Sequence, residues 1–129
     1  MYQPPHFIET DRDVINALIR ARPLGLLISA TPDGPVADSI PMLLDADKGQ
    51  HGRLRAHVAR VNPHWKIIRD NAEMPVLVVF QGTDSYITPS WYETKRETGK
   101  VVPTWNYAMV QMRGKARSEE RRVGKECLR

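Results

Sequence analysis

His57-Val58-Ala59-Arg60-Val61-Asn62-Pro63-His64-Trp65 is the stretch on which the reading of this chain turns. It runs from an alternating, extended segment through an arginine into an Asn-Pro helix start. Asparagine accepts a hydrogen bond from a first-turn N–H, and proline is preorganised for the first helical position. A helix is therefore expected from Asn62 onward, with Trp65, Ile68 and Ala72 on its apolar side. A helix start offers unpaired N–H groups and a positive dipole end, which suit a phosphate. Arg60 lies two residues before the cap, and His57 falls on the preceding strand. On these residues alone two readings stand: phosphate capture, or an ordinary capped helix with a surface arginine.

Upstream of this block, Thr10–Arg22 reads as a first helix, with Thr10 as cap and Val14, Ile15, Leu18 and Ile19 on one face. Pro23 stops it. Leu26–Thr31 and Val36–Leu44 flank the turn signal Pro32-Asp33-Gly34 and read as a hairpin. Pro41 lacks an N–H, so its strand should be an edge there or carry a bulge. Arg53–Ala59 follows as a third strand. Downstream, Val76–Phe80 is a near-continuous apolar strand whose two faces should both be covered. Gly82 should break it, Ser85–Thr88 should be a short return strand, Glu93–Lys100 a charged loop, and Pro103–Arg113 a last strand. Helix, three strands, helix, three strands suits a small antiparallel barrel with accessory helices.

The chain has 129 residues, 41% of them hydrophobic, which is enough for one domain with a modest core. The start MYQPPHFIETD has neither a basic n-region nor a long apolar run, so no signal peptide is expected. No apolar stretch approaches a membrane span, and no membrane partner is expected. A single cysteine permits no internal disulfide and fits a reducing cytoplasm. The net charge is +4, but residues 1–116 carry only +2, with 14 basic against 12 acidic residues. They hold no long basic run and no helix-turn-helix, because three strands separate the two helices. DNA is thus expected as a partner only indirectly or through a longer protein.

Two further segments concentrate aromatic and hydroxyl groups. Ser85-Tyr86-Ile87-Thr88-Pro89-Ser90-Trp91-Tyr92 and Val102-Pro103-Thr104-Trp105-Asn106-Tyr107 could line a flat aromatic ligand or a subunit interface, or could fill the core. Sharper motifs fail. Asp45-Ala46-Asp47-Lys48-Gly49 hints at a calcium loop, but Ala56 stands where its glutamate belongs. The four histidines lack metal-ligand spacing. His57 could be drawn with Ser90 or Ser39 as base and nucleophile, with no local support.

At these blocks the sequence resembles the PaiB-type, FMN-binding negative transcriptional regulators. The resemblance rests on MYQPPHF, Arg22-Pro23-Leu24-Gly25, Ile40-Pro41-Met42-Leu43-Leu44-Asp45, the His57–Trp65 block, Tyr86–Tyr92 and Val102–Tyr107, in that order over residues 1 to about 116. It implies a mainly β (α+β) fold, the FMN-binding split β-barrel shared with pyridoxamine-phosphate-oxidase-like proteins, normally a homodimer with flavin at the subunit interface. The candidate FMN-binding residues are Ser39, His57, Arg60, Asn62, Ser90, Trp91, Tyr92, Trp105 and Asn106. Arg60 is expected at the phosphate, Asn62 at the helix start, and Trp91, Tyr92 and Trp105 near the ring or the dimer interface. No catalytic residue and no metal ligand is assigned. A flavin-dependent oxidoreductase of the split-barrel class is the alternative function.

The sequence departs from the family pattern at Asp38-Ser39, where Asn-His is usual, at Ala56 for glycine and at Gln111 for histidine. A carboxylate at Asp38 would repel a phosphate that it faced. Arg117–Cys127, RSEERRVGKEC, is similar to the translation of a common sequencing adapter. The split-barrel domain is accordingly expected over residues 1–116, incomplete at its C-terminus, with 117–129 a non-native tail.

Overall fold

Asp11, one residue after the expected Thr10, caps the first helix. Its carboxylate accepts from the Asp13 N–H at 2.8 Å. This computed structural model describes residues 1–119. Helix α1 runs Arg12–Ala21. Ile19 is buried, Ile15 and Leu18 pack against the core, and Val14 stays exposed at the edge of the stripe. Strand β1 (Leu24–Thr31) turns at Pro32-Asp33 into β2 (Gly34–Asp45), as the turn signal required.

Strand β3 is shorter than expected, Arg53–Ala56, and leaves His57 and Val58 in the connection to helix α2 (Pro63–Asp70). Because α2 ends at Asp70, Ala72 is not part of its apolar side; His64 and Ile68 are its buried residues, and Trp65 is half-buried. Strand β4 is one long element, Met74–Ile87. Gly82 does not end it. The β4–β5 register slips between Gln81 and Asp84, and pairing resumes at Asp84↔Tyr107. A glycine within a strand often marks such a bulge. The expected return strand Ser85–Thr88 is therefore, up to Ile87, the far half of β4, and the strands among the described residues number five instead of six. The charged stretch after it contains a short helix α3, Thr94–Thr98, closed by Gly99 at φ 67°. Strand β5 spans Thr104–Ala116.

All pairings are antiparallel, in the order β3-β2-β1-β4-β5. The architecture is mainly β with a few helices, consistent with a split-barrel-like α+β fold, as expected. Pro41 sits where two ladders meet. The Met42 N–H donates towards β1, to the Pro23 carbonyl at 2.9 Å, so the missing N–H of Pro41 points to the other side. There the β2–β3 pairing already ends at Met42↔Ala56. The proline thus costs the sheet no hydrogen bond.

Strand alternation sorts the side chains. Leu27, Ile40, Met42, Val78 and Phe80 join Ile19 of α1 and Ile68 of α2 in the core, with Val110 and Met112 alongside. Phe80 is fully buried, and Gly25 makes room for it: a Cβ there would lie 2.8 Å from its ring and 2.9 Å from Val78. On β4, Val78 and Phe80 are buried and Val76, Leu77 and Val79 half-buried, so the second face is only partly covered. Among the described residues no helix is long and apolar enough to cross a membrane. Residues 120–129, most of the adapter-like tail, lie outside the described residues; β5 ends at Ala116, and Arg117 pairs with Glu73 at 3.1 Å.

Candidate functional site

The connection from β3 to α2 is built from short-range hydrogen bonds. The Asn62 N–H donates to the Ala59 carbonyl at 2.9 Å, which closes a turn with Arg60 and Val61 at its tip. Both tip residues are exposed, Val61 at 91%. Asn62 then caps α2, its side-chain oxygen accepting from the His64 N–H at 2.9 Å, and Pro63 occupies the first helical turn. The expected Asn-Pro start is therefore present.

Its backbone donors, however, are already engaged. Pro63 has no N–H, His64 donates to Asn62 Oδ1, and Trp65 donates to the Asn62 carbonyl at 3.1 Å. An anion here would rely on side chains and the helix dipole rather than on free first-turn N–H groups. Arg60 and His57, both exposed, are the side chains at hand, and Arg60 has no ion-pair partner among the described residues. An unpartnered guanidinium beside a capped helix start fits a phosphate group.

Beneath this turn lies a network that the sequence reading missed. His64 is 2% exposed and Ser29 of β1 is 1% exposed. His64 Nδ1 lies 2.7 Å from Asp38 Oδ2, and Nε2 lies 2.7 Å from Ser29 Oγ. A carboxylate only accepts, so Nδ1 carries a proton, and Nε2 shares a hydrogen bond with the Ser29 hydroxyl, which can donate or accept. Among the described residues no buried side-chain polar atom lacks a hydrogen-bond partner. The order Ser–His–Asp is that of a hydrolytic triad, but Ser29 is buried in mid-strand and a substrate could not reach its hydroxyl. His57, Ser39 and Ser90, the residues first considered for such chemistry, form no such chain. The available signal was the four-residue spacing of His64 and Ile68, which puts both on one helix face. Asp38 is thus committed to His64, and its charge does not stand alone before a phosphate.

The other candidates are placed elsewhere. Ser39 is exposed, opposite Leu26 of β1, and strand alternation turns it to the face away from Asp38. The aromatic segments form the distal part of the β4–β5 ribbon and the turn beyond it. Ser85 pairs with Asn106 and Tyr86 with Trp105, whose rings meet edge-on at 6.1 Å. Ser90 and Thr88 share a hydrogen bond in the 3-10 turn Pro89–Trp91. Trp91, Tyr92, Trp105 and Tyr107 are exposed, as is Tyr86. The core-filling reading of these aromatics is therefore set aside for residues 86–107, and the ligand-or-interface reading is kept. Arg60 follows edge strand β3, whereas Trp105 lies on edge strand β5. No described contact joins the two groups within one chain.

Asp45 is held by Arg55 in a two-pronged pair at 2.7 and 3.0 Å and by Arg53 at 3.2 Å. The Arg55 hydrogen bonds hold its carboxyl below the usual range. Among the described residues no cluster of three potential metal ligands exists.

The family described as "Putative FMN-binding domain" matches residues 1–128. An uncharacterized protein of Emericella nidulans is 39% identical over 141 residues, covering 91% of this chain and 56% of its own length. An uncharacterized protein of Saccharomyces cerevisiae is 36% identical over 91% of this chain and 78% of its own length. The Protease synthase and sporulation protein PAI 2 of Bacillus subtilis is 34% identical over 90% of this chain and 52% of its own length. The chain thus spans about half the length of the Emericella and Bacillus relatives. On the extent of the family match and the identity to these relatives, the chain belongs to the PaiB-type FMN-binding domain family.

Proposed function

We propose that the chain binds FMN and serves as the flavin-binding module of a regulatory protein. The observation that carries this is Arg60: an exposed guanidinium with no ion-pair partner among the described residues, at the tip of the turn that leads into the Asn62-capped helix. Arg60 and His57 would hold the phosphate, with Asn62 fixing the turn. Trp91, Tyr92 and Trp105 would cover the ring, and Ser90 and Asn106 would offer polar contacts at its edge. Ser39 would contribute a hydroxyl from the outer face. Because the arginine and aromatic groups follow opposite sheet edges, the ring-covering residues would come from a second copy, which makes the working unit a homodimer. The bound flavin supplies redox chemistry; this chain's own residues bind, orient and shield it.

The test is a titration of FMN and riboflavin, followed by flavin fluorescence, for the parent and Arg60→Ala. The variant should lose FMN affinity by about tenfold or more while riboflavin changes little, since a charge-assisted phosphate contact is removed. Equal loss for both ligands refutes the phosphate assignment, and absence of FMN binding by the parent refutes the flavin reading. Steady oxidation of reduced nicotinamide by the flavin-loaded protein would replace the regulatory role with that of an oxidoreductase.

A further inference from the structure

The buried network and the Arg60 turn are parts of one hydrogen-bonded chain. Asp38 and Ser29, on neighbouring strands, grip the two ring nitrogens of His64 at 2.7 Å each. The backbone N–H of the same His64 donates to Asn62 Oδ1 at 2.9 Å, and the Asn62 N–H donates to the Ala59 carbonyl at 2.9 Å. Each link is short; Ser29 and His64 are buried, while the Asp38 side chain is 38% exposed. Arg60 has no tether of its own, so its position depends on the turn that carries it.

We propose that Asp38 is a positioning residue: through His64 it locks the first turn of α2 to the sheet and thereby sets the place of Arg60. This rests on the phosphate-binding role proposed for Arg60 above, but its structural part stands independently. The acceptor matters more than the charge. An asparagine at position 38 can also accept from His64 Nδ1–H, whereas alanine leaves that buried N–H without a partner. Positioning and electrostatic repulsion predict opposite outcomes. If Asp38 acted mainly by repelling a phosphate, removing its carboxylate would tighten FMN.

Three measurements on the full chain test this. In the parent, nitrogen NMR of the His64 ring should show the proton on Nδ1; a ring protonated on Nε2 alone overturns the proposal without any variant. Next is amide hydrogen exchange. Asp38→Ala should speed exchange across residues 61–66 by about tenfold or more relative to the β4–β5 amides, the scale expected for a lost charged hydrogen bond. Asp38→Asn should stay near the parent. Unchanged exchange in Asp38→Ala, or equal loosening of the whole sheet, overturns the positioning role. If Asp38→Ala fails to fold, Asp38→Asn decides: parent-like exchange supports the proposal, and fast exchange at 61–66 overturns it. Last is affinity. Asp38→Ala should weaken FMN several-fold and leave riboflavin nearly unchanged. Tighter FMN, or equal weakening of both ligands, overturns the link to Arg60 while leaving the flavin reading intact. A parent that binds no FMN but responds as expected in exchange would refute the flavin reading and retain the clamp.

Discussion

At the scale of single residues, Gly25 and Phe80 show how tightly the core is specified. The absent Cβ of Gly25 leaves the space that the Phe80 ring fills on the neighbouring strand β4. Gly25→Ala should destabilise the fold by roughly 1–3 kcal/mol, the usual cost of overpacking. Combining it with Phe80→Leu should cost less than the sum of the two single changes, because the partners touch. Urea denaturation of the four proteins checks this; strict additivity would show that the contact is relaxed some other way. Asp38 is the other informative position. Its departure from the family pattern looks unfavourable in a string of letters, yet its carboxylate is already occupied by a buried histidine.

At the scale of elements, two junctions carry local energetics. Asn62 closes the turn before α2 and caps the helix, so Asn62→Ala should cost about 1 kcal/mol, and Asn62→Asp much less, since aspartate caps as well. Thermal unfolding of the pair is the check, and equal losses would discount the cap. Glu73 joins α2 to β4 with φ 59°, in the left-handed region, and holds Lys115, at the end of β5, at 3.3 Å and Arg117, just beyond it, at 3.1 Å. The Lys115 hydrogen bond, then that of Arg117, keeps its carboxyl below the ordinary 4.5. With a lowered folded-state pKa, the stabilisation is complete above the unfolded value and disappears as the pH falls through the folded one. Glu73→Gln should therefore be slightly less stable than the parent at neutral pH, and the gap should close as the pH drops below 4.5. The pairs are exposed, so salt should shrink the gap as well. A gap that is independent of pH would assign the effect to the turn geometry instead.

At the scale of the whole molecule, Tyr86, Trp105 and Tyr107 on the β4–β5 ribbon, with Trp91 and Tyr92 in the turn beyond it, are exposed aromatics that a lone chain leaves open. Contiguous exposed aromatics commonly mark interfaces. Sedimentation should give a dimer at micromolar concentration, and charged substitutions at Trp105 and Tyr107 should shift it towards monomer without unfolding it. A parent that sediments as a monomer would count against flavin shared between copies. With +2 on residues 1–116 and no helix-turn-helix, DNA binding by this region should be weak and should fall steeply with salt. Tight, salt-resistant and sequence-selective binding would contradict that expectation.

Residues 57–65 alone were enough to place a capped helix, because Asn62 and Pro63 act through bonds to their immediate neighbours. The Pro32–Gly34 turn, the stripe of α1 and the mainly β class were legible for the same reason: capping, turn chemistry and periodicity are short-range. The sequence also indicated its family. What it did not reveal depends on distant partners. Gly82 looked like a strand break, yet pairing with β5 carries β4 through it by a register slip. The aromatic segments suited a core or an interface equally, and only the sheet order left them exposed at the β5 edge. His64 looked like part of a helix start; its partners Asp38 and Ser29 are 26 and 35 positions away. Local rules of the backbone determine which elements form. Burial and hydrogen-bond satisfaction depend on which elements meet, and only the tertiary structure decided that this histidine, and not His57, lies at the centre of a buried polar chain.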